Sequence, residues 1–167
     1  MNPAYLLDAN VFIEAKNSYY QFGFAPGFWD WLDKEQAVGH HASIQPIYEE
    51  LEKGNDDLAE WVKARDNENW FLPVTDLETQ TSFSTIAEWV MRQPFKEQAK
   101  EEFLGGGDPW LIAKALTLRA AVVTHEKFEL ESKKRVPIPN VCEAFGVMTI
   151  NTFQLIQRSG AQFGLVG

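Results

Sequence analysis

Four carboxylates could do chemistry in this chain if the fold gathers them: Asp8, Glu50, Asp108 and Glu126. Asp8 directly follows the apolar run Tyr5-Leu6-Leu7, and Glu126 stands two residues beyond Thr124, the last residue of the run 121–124. In an open parallel sheet, ligands bind beyond the carboxyl ends of the strands, so two parallel strands would turn both acids into one rim. Asp108 opens a helical pattern just after Gly105-Gly106-Gly107, and Glu50 lies off the apolar stripe of another helix. Two unit charges about 4 Å apart repel by roughly 4 kcal/mol at an effective dielectric of about 20. Converging carboxylates therefore take up protons or surround a cation. Oxygen-only ligands select Mg2+ or Mn2+ over softer metals. Such a centre suits phosphodiester hydrolysis, where the ion lowers the pKa of a bound water and steadies the leaving oxygen.

Each acid also has a plainer use. Asp108 before Pro109 reads as an N-cap, worth ~1 kcal/mol. Glu50 reads as one more solvated acid beside Glu49 and Glu52, and Glu126 as a partner of Lys127 or an acid facing water. Asp8 is the hardest to set aside, because an acid against a buried strand end must be paired or bind something.

The elements that would position these residues show as short apolar runs between helical patterns. Strand candidates are 4–7, a weak run near 37–41, 121–124 and 147–150. Helical spacing runs over 43–53, with Ile44, Ile47, Tyr48 and Leu51 on one face, Ser43 as N-cap and Gly54 as the stop. Further stripes are Leu58, Trp61 and Val62, then Phe83, Ile86, Ala87 and Val90. The segment 108–118 begins with Asp-Pro, and 139–145 and 151–158 read as two last helices, the second capped by Asn151. Strands alternating with helices predict a parallel sheet covered on both faces, a three-layer α/β/α sandwich with a short sheet. The aromatic-rich stretch 19–31 reads as core packing under a loop, followed by a helix from about Pro26. The other reading is a platform on which bases stack, or a self-association surface.

The chain has 167 residues, 45% hydrophobic and 23% charged, which suits one globular domain over 1–167 and excludes wholesale disorder. With 15 Lys and Arg against 24 Asp and Glu, its formal charge is −9, unlike a basic nucleic-acid coat protein. A carboxylate-held metal remains compatible with that balance, since the ion inverts the local sign. The single cysteine, Cys142, excludes an intramolecular disulfide and multi-cysteine metal sites. No apolar run approaches the roughly 20 residues that span a bilayer, and the start carries Asp8 and Glu14 rather than a basic leader, so no membrane partner is expected. The expectation is a soluble cytoplasmic protein.

The order LLDANVFIEA, EELEKG, GGGDPWLIAKAL and AVVTHEKF resembles the PIN domain, the nuclease fold of the VapC-type toxins. Asp8 matches that family's acid closing the first strand. Glu50, followed by Leu51 and with Gly54 four on, matches the second, with Glu49 as its neighbour and competitor. Asp108, with Ala113 and Ala115, matches the third. Glu126 stands where the fourth acid, usually Asp, belongs, and Thr124 matches the hydroxyl that supports the site. The stretch 19–31 and the helices between Trp61 and Phe103 are longer than in a minimal member, which marks a divergent branch. The resemblance implies an endoribonuclease acting on single-stranded RNA, with the four acids holding Mg2+ or Mn2+. Water attacks phosphorus in line, the 3′ oxygen leaves, and the products are a 3′-hydroxyl and a 5′-phosphate. It also implies a protein antitoxin as partner, and a homodimer.

Around the acids, Asn10 could bond Asp8 or a bound water, or cap the following helix. Lys127, Lys133, Lys134 and Arg135 form the densest basic cluster, read as a solvated loop or as phosphate contacts. His125 could touch substrate or donate a proton, with solvent exposure the plainer expectation. His40, His41 and Cys142 read as structural. Two other functions compete: a catalytically degenerate PIN-like scaffold binding protein or RNA, and a phosphoryl-transfer enzyme with Asp8 as nucleophile. The second is weakened by Asn10, which stands where a second Asp is needed.

Overall fold

The computed structural model describes residues 2–165. Among them, five short strands form one all-parallel sheet in the order β3-β2-β1-β4-β5. The strands are β1 (Tyr5–Leu7), β2 (His41–Ile44), β3 (Phe71–Leu72), β4 (Ala121–Val123) and β5 (Thr149–Ile150). Helices cover the sheet as α1 (Ala9–Glu14), α2 (Pro26–Ala37), α3 (Gln45–Glu52), α4 (Asp57–Lys63), α5 (Leu77–Arg92), α6 (Glu97–Gly105), α7 (Asp108–Leu118), α8 (Ile138–Phe145) and α9 (Thr152–Ser159). A π-helical turn over Ala15–Tyr19 continues α1. This is the expected three-layer α/β/α architecture. Among the described residues, no helix is long and apolar enough to cross a membrane.

The strands are apolar because both faces of the sheet are covered. Leu6, Leu7, Ile44, Val122 and Val123 are fully buried. Helix α7 packs on β1, β2 and β4, which is why Leu111, Ile112, Ala113 and Ala115 are buried on it. From β1 the chain builds outward through β2 and β3, and β4 then returns to the other side of β1. The strand order therefore reverses between β1 and β4, the place where open parallel sheets leave a crevice. Leu7 pairs with Val123, so Asp8 and Thr124 leave the sheet side by side.

Several expectations are corrected. The weak strand near 37–41 lies further on, at His41–Ile44, because α2 runs to Ala37 and Gly39, with φ of 84°, makes the turn. Ser43 is a strand residue rather than an N-cap. Its hydroxyl donates to the Leu7 carbonyl at 2.7 Å, and α3 starts at Gln45 with Pro46 in its first turn. Most of the aromatics in 19–31 turn inward: Tyr20 stacks on Phe28 at 4.4 Å and Phe22 on Trp29 at 4.0 Å. Tyr19 and Phe24 stay exposed. Asn151 caps α9 as expected, its side chain accepting from Gln154 N while the Gln154 side chain accepts from Asn151 N.

Candidate active site

The carboxyl end of β1 delivers Asp8 to the switch point with 3% of its surface exposed. Asp8 occupies the N-cap position of α1, yet its side chain makes no capping bond. Instead its Oδ2 accepts from the Thr124 hydroxyl at 2.9 Å. The same Thr124 oxygen accepts from the backbone N–H of Glu126 at 3.1 Å. One hydroxyl thus fixes the first acid and the loop that carries the fourth.

Asp108 arrives from α7. It is the first helical residue, with Gly107 at the N-cap position and no capping bond, so the simple cap reading fails. Gly107 lies against Pro46 and Ile47 of α3; a Cβ there would sit 3.6 Å from Pro46, in ordinary contact. The approach of α7 to α3 therefore depends on the route of the chain more than on the absence of a side chain. It brings the Glu50-bearing helix near enough for Glu50 to act on Asp108. Glu49 and Glu50 are both exposed on α3.

Burial, then the negative charge of Asp108 and next that of Glu126, push the Asp8 carboxyl up to about 8 against the pull of the Thr124 hydroxyl. Asp108 is pushed up to about 6 by burial, with Glu126 and Glu50 adding and Arg135 opposing. A buried acid answers uncompensated charge by holding its proton or binding a cation. The oxygen donors, four acids that among the described residues meet the single cation Arg135, fit a hard divalent ion such as Mg2+ or Mn2+. Among the described residues, however, no three His, Cys, Asp or Glu side chains stand close enough together to hold a metal ion as they are. The fold brings the acids within reach of one another's charge without packing them into a finished ligand shell.

Glu126 is the most engaged of them. Its Oε1 accepts from Arg135 Nη2 at 2.7 Å and from the Ile138 backbone N–H at 3.1 Å. Its partner is therefore Arg135, not Lys127, and no local pattern in the sequence marks that pairing across nine positions. Asn10 neither caps α1 nor bonds Asp8; its Oδ1 accepts from the His125 N–H at 3.3 Å, tying α1 to the loop after β4. His125 is half-buried rather than exposed, with Nε2 2.8 Å from the Thr152 hydroxyl, and burial pushes its pKa down. Lys127, Lys133, Lys134 and Arg135 lie on the exposed loop before α8. His41 is buried in β2, where Nε2 donates to the Leu32 carbonyl at 3.0 Å. Cys142 is fully buried, its thiol pushed up to about 12 by burial and by the charges of Glu126 and Asp8.

A search of the curated proteins finds no match. One chain of the crystal structure of VapBC2 from Rickettsia felis bound to a DNA fragment from their promoter superposes with a TM-score of 0.51 at 12% identity. The match covers 88% of this chain and 97% of that one, and the likeness is one of fold. The family described as Domain of unknown function (DUF4411) matches residues 5–163, so the chain belongs to that family.

Proposed function

We propose that this chain is a cytoplasmic, Mg2+- or Mn2+-dependent endoribonuclease that hydrolyses single-stranded RNA, acting as the toxin of a toxin–antitoxin pair. The observation that carries this reading is the charge coupling of buried Asp8 and half-buried Asp108 at the reversal of strand order, both carboxyls pushed up, with Arg135 the cation that opposes the rise of Asp108. The PIN-like sequence order and the likeness in fold to a chain of the VapBC2 structure support it. Asp8 and Asp108, with Glu50 and Glu126, would hold the ion, which when bound supplies an activated water and charge for the leaving 3′ oxygen. Thr124 orients Asp8, and Arg135 holds Glu126 in place. Lys127, Lys133 and Lys134 are available to phosphates. Tyr19, Phe24 and Phe153 leave apolar surface for an antitoxin or a second copy of the chain.

The test is cleavage of single-stranded RNA in Mg2+ or Mn2+. Wild type is expected to cut, and Asp8→Asn to lose at least about a hundredfold in rate, the scale of losing an essential electrostatic group. Equal rates would end the assignment. The occupied Oε1 of Glu126 favours the degenerate-scaffold alternative. Isothermal titration with Mn2+ separates the two: tight binding lost in Asp108→Asn rejects the scaffold.

A further inference from the structure

The loop 127–137 has no helix or strand, yet it is tied down along its length. Glu129 N donates to the Asn140 side chain at 2.9 Å, and Asn140 Nδ2 donates back to the Glu129 carbonyl at 2.8 Å. The Ser132 hydroxyl donates to the Arg135 carbonyl at 2.7 Å. The Lys133 carbonyl accepts from the Lys96 N–H at 2.9 Å, which staples the loop to the turn between α5 and α6. That last contact joins two cationic segments far apart in sequence. Together 92–96 and 127–135 carry six of the chain's 15 Lys and Arg but only two of its 24 acids.

Elsewhere, Lys100, Lys114 and Arg65 each meet an acid, Glu97, Asp76 and Asp33. Arg135 meets Glu126 and so belongs to the acid centre. Arg92, Lys96, Lys127, Lys133 and Lys134 are exposed and, among the described residues, form no ion pair. Lys34, Lys53, Arg119 and Arg158 also lack an acid partner among the described residues, but each stands apart in the sequence, whereas here the unpaired cations are grouped. Phe128 stands 46% exposed between Lys127 and Lys133, and among the described residues its ring packs against no other aromatic ring. A tied-down loop that presents unneutralised ammonium groups and an exposed aromatic ring along one stretch is preorganised for a polyanion carrying flat rings. In a chain of net charge −9, this strip supplies the local positive field that the whole molecule lacks.

We infer that Lys96, Lys133 and Lys134 form a phosphate track, with Phe128 as a base-stacking face, along which a single-stranded nucleic acid runs from the acid centre. Lys96 joins the loop through its backbone bond to Lys133, which no local sequence pattern marks, while Arg135 positions Glu126 instead of serving the strand. The identity of the strand as RNA rests on the nuclease reading; the track itself rests on charge and geometry.

The experiment measures fluorescence anisotropy of a labelled short polyuridine oligonucleotide against salt, using Asp8→Asn so that the strand is not consumed. Lys96→Gln and Lys133→Gln should each lower the slope of log affinity against log salt by about 0.7, the value for one phosphate on a single strand. Phe128→Ala should weaken binding roughly tenfold with the slope unchanged. Lys34→Gln, on α2, should change neither. The track is overturned if Lys96→Gln matches Lys34→Gln, or if polyglutamate binds the loop while the oligonucleotide does not. Loss of the Lys96 effect with hydrolysis intact sinks the track alone. A Lys96-dependent affinity in a wild-type chain that never cuts RNA sinks the nuclease reading alone.

Discussion

Asp76 and Asp8 both sit at the N-cap position of a helix, and the molecule treats them in opposite ways. Asp76 caps α5 fully, accepting from the Thr79 N–H at 3.1 Å and the Thr79 hydroxyl at 2.8 Å, and it pairs with Lys114 at 2.9 Å. Burial pushes its carboxyl up, but Lys114 and Thr79 outweigh that and draw it down to about 2. Asp8, buried where Asp76 is exposed, is driven up to about 8 by that burial and by the charge of Asp108. The Thr124 hydroxyl pulls against them, with neither a capping bond nor, among the described residues, a cation to help. The chain can neutralise an acid at a helix start and does so at α5. At α1 it buries the acid without a cation, and a strongly perturbed carboxyl at the switch point is the pattern of a functional site.

The largest effect expected from that contrast is on stability. Without metal, Asp8 favours its protonated form in the fold, so its contribution is full below about pH 4 and is lost as pH rises toward 8. Asp8→Asn should therefore stabilise the metal-free protein by about 4 kcal/mol at pH 7, shrinking to nearly nothing near pH 4. Urea unfolding across that range reads the gap, and a gap that does not widen with pH would break the comparison.

Asp76→Ala should go the other way. It removes a cap and strands the largely buried Lys114 ammonium, costing about 3 kcal/mol in the same measurement near pH 7. A neutral result would mean that the α5 start is no foil for the α1 start.

Thr124→Val sharpens the comparison least in energy and most in mechanism. Removing the one hydroxyl that bonds Asp8 should cost about 1 kcal/mol in stability and slow RNA cleavage by roughly tenfold. Cleavage at the wild-type rate would show that the Asp8 orientation does not depend on it.

Much of this fold is legible in the amino-acid sequence. The pattern at β1, α7, β4 and α9 is local: apolar runs, an Asp-Pro start and an Asn cap each act over a few residues. Strand β3 is not legible, because two residues, Phe71 and Leu72, carry no periodicity and are strand only through pairing with β2. Helical spacing starts the 43–53 helix too early because Ile44 matches a helical stripe while serving as the last residue of β2. At the site, the order of the four acids is visible in the sequence, whereas their charge coupling requires the fold. The Arg135–Glu126 pair, the Asn10 bond to His125 and the half-burial of His125 all depend on how loops meet, which no spacing encodes.

The thiol of Cys142 lies in α8, sealed from solvent and raised by the charges of Glu126 and Asp8. A disulfide reagent added to the native chain can be attacked only when that region loosens, since thiolate is the reactive form and here it is suppressed. Because the sequence holds no other cysteine, labelling kinetics give a native gauge of how often the packing around α8 opens. Cations that clamp those acids should slow the clock.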